Sequence, residues 1–223
     1  MASTKKKTTA EIQEEAGRTG ASIGGRVIHT DYDTNLILPA IAFAAFGMPA
    51  PQGSKKHVGN GRLVEVSTLL PAWKKAVRAE AHSAVLSRED WKGAINEPVL
   101  IQAVFTFPHS AASLKRGDTY YTNMPDLDKL QRAIGDAISP EPVKPKQVAG
   151  LAPKAKEVER TRLKEAAREF AVLADDSCIV AWHSKKVYTN TTSDSLKFPG
   201  VAIEVWRMSD LNRATTALGE DFE

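Results

Sequence analysis

The run of nine residues from Val99 to Phe107 is the feature that most constrains how this chain can fold. It is rich in valine, isoleucine and phenylalanine, with Pro98 directly before it and Pro108 directly after it. β-Branched and aromatic side chains favour extended backbone, and proline is tolerated at the ends of a strand rather than in its middle. The pattern therefore predicts a strong strand over residues 99–107.

Helices are predicted where apolar residues recur at three- and four-residue intervals. One such helix covers residues 69–86, and a second, central helix covers residues 126–138. Residues 154–171 are also expected to be helical, but they are dominated by charged side chains. A helix without an apolar stripe does not belong in a core, so this one is assigned to an added lobe.

Apolar runs predict three further strands, over residues 37–47, 179–188 and 200–206. A turn rich in Thr, Ser and Asp separates the last two, so these strands are expected to pair as a hairpin. Residues 109–124 are expected to form a loop. Together these elements predict an α/β (α+β) fold, with a mixed sheet of about four strands packed against two main helices and an inserted charged helix.

The chain divides into one structured region and two polar ends. Residues 1–35 show no sustained hydrophobic period and are expected to form a flexible arm. Residues 36–208 form the predicted domain, with an insertion at about 140–171 that begins with a stretch rich in proline and lysine. Residues 209–223 are expected to form a polar tail.

Composition restricts the classes of protein that this chain can belong to. It has 223 residues with a single cysteine, Cys178, so no intramolecular disulfide can form and a reducing compartment is expected. No apolar stretch reaches the length of a membrane span, and no apolar segment follows the N-terminal lysines as in a secretory signal. The net charge of +3 mildly favours polyanionic partners.

Two acidic pairs are the candidate chemical site, Asp126 with Asp128 and Asp175 with Asp176. Carboxylate oxygens are ligands that Mg²⁺ prefers, and phosphate oxygens often complete its shell. In a regular helix, residues two apart diverge by about 200°. Asp126 and Asp128 can therefore act together only if Asp126 lies at or before the helix cap. Each pair also has a plain structural explanation, because Asp is common at helix starts and in turns.

Around these pairs, the sequence resembles the RusA family of Holliday-junction resolvases. Residues 126–138 (DLDKLQRAIGDAI) and then 173–180 (LADDSCIV) follow the family signature D-L-D-N-L-x-K-x-x-x-D-A-L and D-D-[SA]-x-[VI]. Residues 47–55 are similar to the opening of many phage-encoded members, and residues 199–205 fit the final strand. The resemblance covers roughly residues 37–207.

The resemblance implies a small RusA-like fold that works as a homodimer on branched DNA, with paired nicks across a four-way junction. It implies Mg²⁺ as cofactor, with Mn²⁺ as a substitute, and a cytoplasmic role in DNA recombination and repair in a bacterial cell, encoded by a phage or prophage. The family's metal ligands fall on Asp126, Asp128 and Asp176, with Asp175 beside them. The conserved helix lysine of the family falls on Arg132, which is therefore the further candidate catalytic residue.

Three departures from the family pattern keep other functions open. Arg132 retains a cation but cannot release a proton, Lys129 stands where the family has Asn, and the two acidic motifs lie unusually far apart. A DNA-binding module that has lost catalysis is one alternative. A sugar-nucleotide transferase that uses an Asp-x-Asp motif is another, although no glycine-rich strand–loop–helix supports it.

Cations outside the acidic motifs are candidates for binding DNA phosphates. Such contacts position a protein on DNA without reading its sequence, although each of these residues is also compatible with an ordinary solvated surface. The candidates are Lys55, Lys56, Lys115, Arg116, Lys129 and Lys185.

Overall fold

The structure, a computed structural model, describes residues 38–53, 55–57, 63–65 and 67–212. Of residues 55–57 and 63–65 only the backbone is described. The prediction of a flexible arm over residues 1–35, and that of a polar tail beyond residue 212, lie outside these ranges.

Four strands form the main sheet and two short strands form a separate pair. The strands are β1 (Ile41–Phe46), β2 (Lys55–His57), β3 (Leu63–Glu65), β4 (Val99–Phe107), β5 (Ile179–Tyr188) and β6 (Gly200–Arg207). The main sheet has the order β1-β6-β4-β5, and β2 pairs with β3. The pair β4–β5 is parallel, whereas β6 runs antiparallel to both of its neighbours. The predicted mixed sheet of four strands is confirmed.

Four α-helices lie entirely within the described residues, together with short 3₁₀ helices at Pro145–Val148 and Asp176–Cys178. Residues 208–212, directly after the last strand, are also helical. The four α-helices are α1 (Leu70–Leu86), α2 (Ala111–Arg116), α3 (Leu127–Ile138) and α4 (Pro153–Glu169). α1 packs against β1 and against α3, while α3 also contacts β5. The two main helices are therefore the two that apolar periodicity predicts.

The hydrophobic core lies between these two helices and the sheet. Phe105 and Ile101 of β4 are completely buried, as are Leu130 and Ile134 of α3 and Val77 of α1. These side chains are the ones whose spacing defines the predicted strand and helices, and burying each of them stabilises the fold by about 1.5–3 kcal/mol. The α/β (α+β) fold prediction is confirmed, and its core holds α3 in place.

The predicted hairpin between β5 and β6 is wrong. β4 lies between them and pairs with both, so the segment that joins β5 to β6 crosses over β4. β4 carries seven apolar residues and is buried along most of its length, whereas β5 is only partly buried. The strand with the most apolar surface takes a central position because only there are both of its edges covered, and proximity in sequence does not decide this.

The predicted loop over residues 109–124 is also corrected, because it contains the six-residue helix α2. Ser110 and Ser113 form a reciprocal capping box at its start, and Gly117 ends it with a left-handed backbone (φ 71°). These end contacts stabilise a helix that is too short to show apolar periodicity.

The charged helix predicted in the insertion is present as α4, and none of its residues is buried. It follows the 3₁₀ turn Pro145–Val148, whose Val148 is buried. Within the part of the chain that the structure describes, no helix has both the length and the apolar character needed to cross a membrane.

Candidate active site

Asp126 lies just before the first residue of α3, and its backbone is extended (φ −66°, ψ 147°). The condition for Asp126 and Asp128 to act together is therefore met. The Asp126 carboxylate does not cap the helix; it accepts a hydrogen bond of 2.7 Å from Lys129 Nζ. This bond holds the pKa of Asp126 below its usual range, so the carboxylate stays ionised. The explanation of Asp126 as an ordinary helix cap fails, because its side chain is turned to another partner.

Lys186 of β5 holds the loop that leads into α3. Its Nζ donates to the carbonyl oxygens of Asn123 and Pro125, each at 2.8 Å, and lies 5.5 Å from the centre of the Tyr121 ring. Tyr121 in turn stacks on Phe107 with ring centres 4.0 Å apart. Burial lowers the pKa of Lys186, while the nearby Asp126 opposes that change. Lys186 thus connects the start of α3 to the sheet. No pattern in the sequence predicts this role.

The second acidic pair lies at the 3₁₀ helix that precedes β5. Asp175 caps this helix, because its Oδ1 accepts a hydrogen bond of 3.0 Å from the backbone N–H of Ser177. Contacts with Ser177 lower the pKa of Asp175. Asp176 is the first residue of the helix, and its side chain is exposed. Asp175 therefore has the structural role that an acidic turn implies, and the exposed Asp176 directly follows it.

Gly135 is where α3 meets the second acidic pair. A Cβ added to Gly135 would lie 3.2 Å from Ile179 Cδ1 and 4.0 Å from Asp176 Cβ. The lack of a side chain thus lets α3 pack closely against the 3₁₀ helix. Asp128, Arg132 and Gly135 follow one another at four- and three-residue intervals, which places them on one face of α3. The face that carries Asp128 and Arg132 is therefore the face that contacts the Asp176 segment.

A half-buried polar cluster lies farther along α3, around Asp136. Lys74 Nζ, on α1, donates to Asp136 Oδ2 at 2.9 Å and to Gln52 Oε1 at 3.1 Å, and Gln52 also donates to Asp136 through a short hydrogen bond. Burial by itself would raise the pKa of Asp136, but the bonds from Gln52 and Lys74 hold it below the usual range. The cluster joins α1, α3 and the loop after β1.

This cluster also positions the surroundings of Arg132. The backbone N–H of Gln52 donates to the carbonyl of Lys129 at 3.0 Å, which fixes the loop onto α3. Gly53 follows with φ +103°, and a Cβ there would lie 2.9 Å from Arg132 Nη1. The backbone conformation of Gly53 favours glycine, and the absence of a side chain there leaves room for the guanidinium.

Exchanging Asp136 for Ala is expected to lower the free energy of unfolding by about 1–2 kcal/mol at pH 7, because Lys74 and Gln52 lose their shared acceptor. The folded-state pKa of Asp136 is lowered, so its stabilisation is present above the unfolded-state pKa of about 4 and disappears as the pH falls through the folded-state pKa. Urea unfolding of both proteins between pH 7 and pH 3 measures this difference. A gap between the two proteins that stays constant down to pH 3 contradicts the assignment.

The predicted metal ligands lie on two segments, the start of α3 and the 3₁₀ helix before β5. Among the residues that the structure describes, no group of three or more His, Cys, Asp or Glu side chains is placed to hold a metal ion together. The residue types fit Mg²⁺, but Asp126 is engaged by Lys129 and Asp175 by Ser177. Comparisons with known proteins add no support, because no protein-family model matches the chain and no curated protein matches it.

The predicted DNA-binding cations are spread over separate elements. Lys115 and Arg116 end α2, where Arg116 pairs with Asp118. Lys129 pairs with Asp126, and Lys185 of β5 pairs with Asp194 at 2.7 Å. Lys55 and Lys56 belong to β2, for which the structure describes only the backbone.

Sequence reasoning missed three residues of the site, Gln52, Lys74 and Asp136. Two of them could have been found from the sequence. Asp136 matches the third acidic position of the family signature, and Gln52 lies in the segment similar to phage-encoded members. Lys74 could not, since it is one of several cations on an amphipathic helix.

Proposed function

We propose that this protein is a Mg²⁺-dependent, structure-selective endodeoxyribonuclease of RusA type, which resolves four-way or otherwise branched DNA by paired phosphodiester hydrolysis. One observation carries the proposal. The contact at Gly135 joins the Asp176 segment to the α3 face that carries Asp128 and Arg132. Two acidic motifs that are far apart in sequence are thereby parts of one surface.

The roles of the residues follow from their chemistry. Asp126, Asp128 and Asp176 would hold the metal, with Asp175 beside them, and Mn²⁺ is expected to replace Mg²⁺. The bound ion would act as a Lewis acid towards the scissile phosphate. In the free protein Lys129 neutralises Asp126 and limits repulsion among the carboxylates. Arg132, beside Gly53, would bind a phosphate oxygen and stabilise its charge, but it does not accept or release a proton.

The test is cleavage of a synthetic four-way junction by the full chain, with a linear duplex of the same sequence as the control substrate. We expect paired nicks in the junction with Mg²⁺ or Mn²⁺, none in EDTA, and little cutting of the duplex. A protein that binds the junction but leaves it intact with either metal is not this enzyme.

Substitutions of Arg132 distinguish two possible roles for the cation at this position, charge stabilisation and proton transfer. If it stabilises charge, Arg132→Lys should keep activity within about tenfold of wild type, whereas Arg132→Gln should lose about 100-fold. Initial cleavage rates at saturating protein measure both. A fully active Arg132→Gln variant, or an Arg132→Lys variant far more active than wild type, would show that Arg132 does not have this role.

The proposal extends to assembly and setting. A junction with two-fold symmetry is cut symmetrically by a two-fold enzyme, so we expect a homodimer, which sedimentation equilibrium measures directly. The lack of any possible internal disulfide is compatible with the cytoplasm of a bacterial cell, where a phage- or prophage-encoded enzyme would act in recombination and repair.

The second candidate is a branched-DNA-binding protein with weakened catalysis. The engagement of Asp126 by Lys129 and of Asp175 by Ser177 favours it, because a metal would have to displace the first of these contacts. This candidate predicts metal-independent junction binding with no cleavage, so the same assay separates the two.

A further inference from the structure

A large cavity lies between α4 and the candidate site, and its two walls differ in charge. Its volume is about 750 Å³. From α4 it is lined by Arg160, Lys164 and Arg168, together with Glu157. The opposite wall carries the carboxylates of Asp136, Glu141, Asp175 and Asp176, together with the amine of Lys74. The inserted helix therefore faces the carboxylates of the candidate site rather than lying apart from them.

The three cations of α4 form a regular row. They recur every four residues, so they share one face of the helix and lie about 6 Å apart along its axis. This spacing is close to that of successive phosphates along a nucleic acid strand. All three are exposed, and none forms an ion pair within 4 Å with a carboxylate of the described residues. Their charges are thus available to a ligand.

The charge of the cavity explains why such a row is needed. Five carboxylates line it, and a DNA strand that approached them would be repelled at its phosphates. A metal ion offsets this repulsion only at the phosphate that it contacts.

We propose that Arg160, Lys164 and Arg168 form a phosphate track that holds one DNA strand against the candidate site, without regard to base sequence. This inference rests on the proposed function. It assigns the insertion a direct part in substrate binding, because the strand is held by its backbone between α4 and the carboxylates. The ligand is the phosphodiester backbone of DNA.

The experiment compares two triple variants of the full chain. The track variant carries Arg160→Gln, Lys164→Gln and Arg168→Gln, and the control carries Lys92→Gln, Lys154→Gln and Arg162→Gln, none of which belongs to the row. Each loses three positive charges, so the net charge falls from +3 to zero in both. Binding of a labelled four-way junction is measured by fluorescence anisotropy from 50 to 300 mM salt, with Ca²⁺ in place of Mg²⁺.

The track variant should bind about 100-fold more weakly at low salt, and the slope of log K against log salt should become shallower by about 2–3, since each lost contact removes about 0.9. The control should stay within threefold of wild type. Equal losses in both variants, or none in either, overturn the track. Lys164→Gln alone, expected to remove about one unit of slope, replaces the triple variant if that does not fold.

Cleavage by the wild-type chain is scored separately, so the two proposals can fail independently. If the wild-type protein cleaves the junction and the track variant binds it normally, only the phosphate-track proposal is contradicted. Loss of binding in the track variant, with a wild type that never cuts, supports the track and overturns the endonuclease.

Discussion

Replacing Asp128 by Asn is expected to lower the rate of Mg²⁺-dependent junction cleavage by about 1,000-fold or more. The substitution keeps the size of the side chain but removes the charge, and losing ~4 kcal/mol of metal-assisted stabilisation corresponds to that factor. Asp128 lies in the first turn of α3, so a neutral side chain there should leave the fold intact. Single-turnover cleavage of the four-way junction measures the effect.

Asp90→Asn is the matched control for this prediction. Asp90 is an exposed carboxylate that pairs with Arg88 beyond the end of α1, outside the candidate site. The Asp90→Asn protein should cleave the four-way junction at the wild-type rate. An Asp128→Asn protein that cuts as fast as Asp90→Asn would remove Asp128 from the metal site.

Gly135→Leu is expected to damage both stability and activity. A leucine side chain does not fit between α3 and Ile179, so the free energy of unfolding should fall by about 1–3 kcal/mol. Asp176 would be pushed away from α3, and a displacement near 1 Å at a reacting centre costs on the order of 100-fold in rate. Urea unfolding and junction cleavage of the same preparation measure the two effects.

Gly135→Ala is the control for this second prediction. Its Cβ would lie 3.2 Å from Ile179 Cδ1, so that side chain must move by only a few tenths of an ångström. Alanine also stabilises a helix by about 1 kcal/mol relative to glycine. We expect near wild-type stability and activity. A Gly135→Leu protein that remains as active as Gly135→Ala would separate Asp176 from the α3 face.

Local sequence patterns predicted most elements of the fold. The β4 prediction matches the strand at both ends, and α3 begins one residue after its predicted start because the backbone of Asp126 is still extended. These predictions succeed because strand and helix periodicity depend on neighbouring residues. The failures are of another kind. α2 is stabilised by its end contacts, and the pairing of β5 depends on which strand covers β4.

Some features of the candidate site could likewise be predicted from the sequence, whereas others depend on tertiary packing. Its acidic residues and Arg132 were recognisable from their order in the chain, whereas the contact of Lys74 with Asp136 depends on how α1 packs on α3. The cavity beneath α4 is a further case. The charge of that helix is evident in the sequence, but the side on which Arg160, Lys164 and Arg168 meet the carboxylates is not.

The sequence by itself determined the main strands, the main helices and the pair of acidic motifs, because each depends on residues that are close together in the chain. The tertiary structure alone decided the strand order, the approach of Asp176 to α3 at Gly135 and the facing charges of the cavity. These features depend on the packing of surfaces that lie far apart in sequence. Packing follows the burial of apolar area over the whole domain, which no single segment encodes.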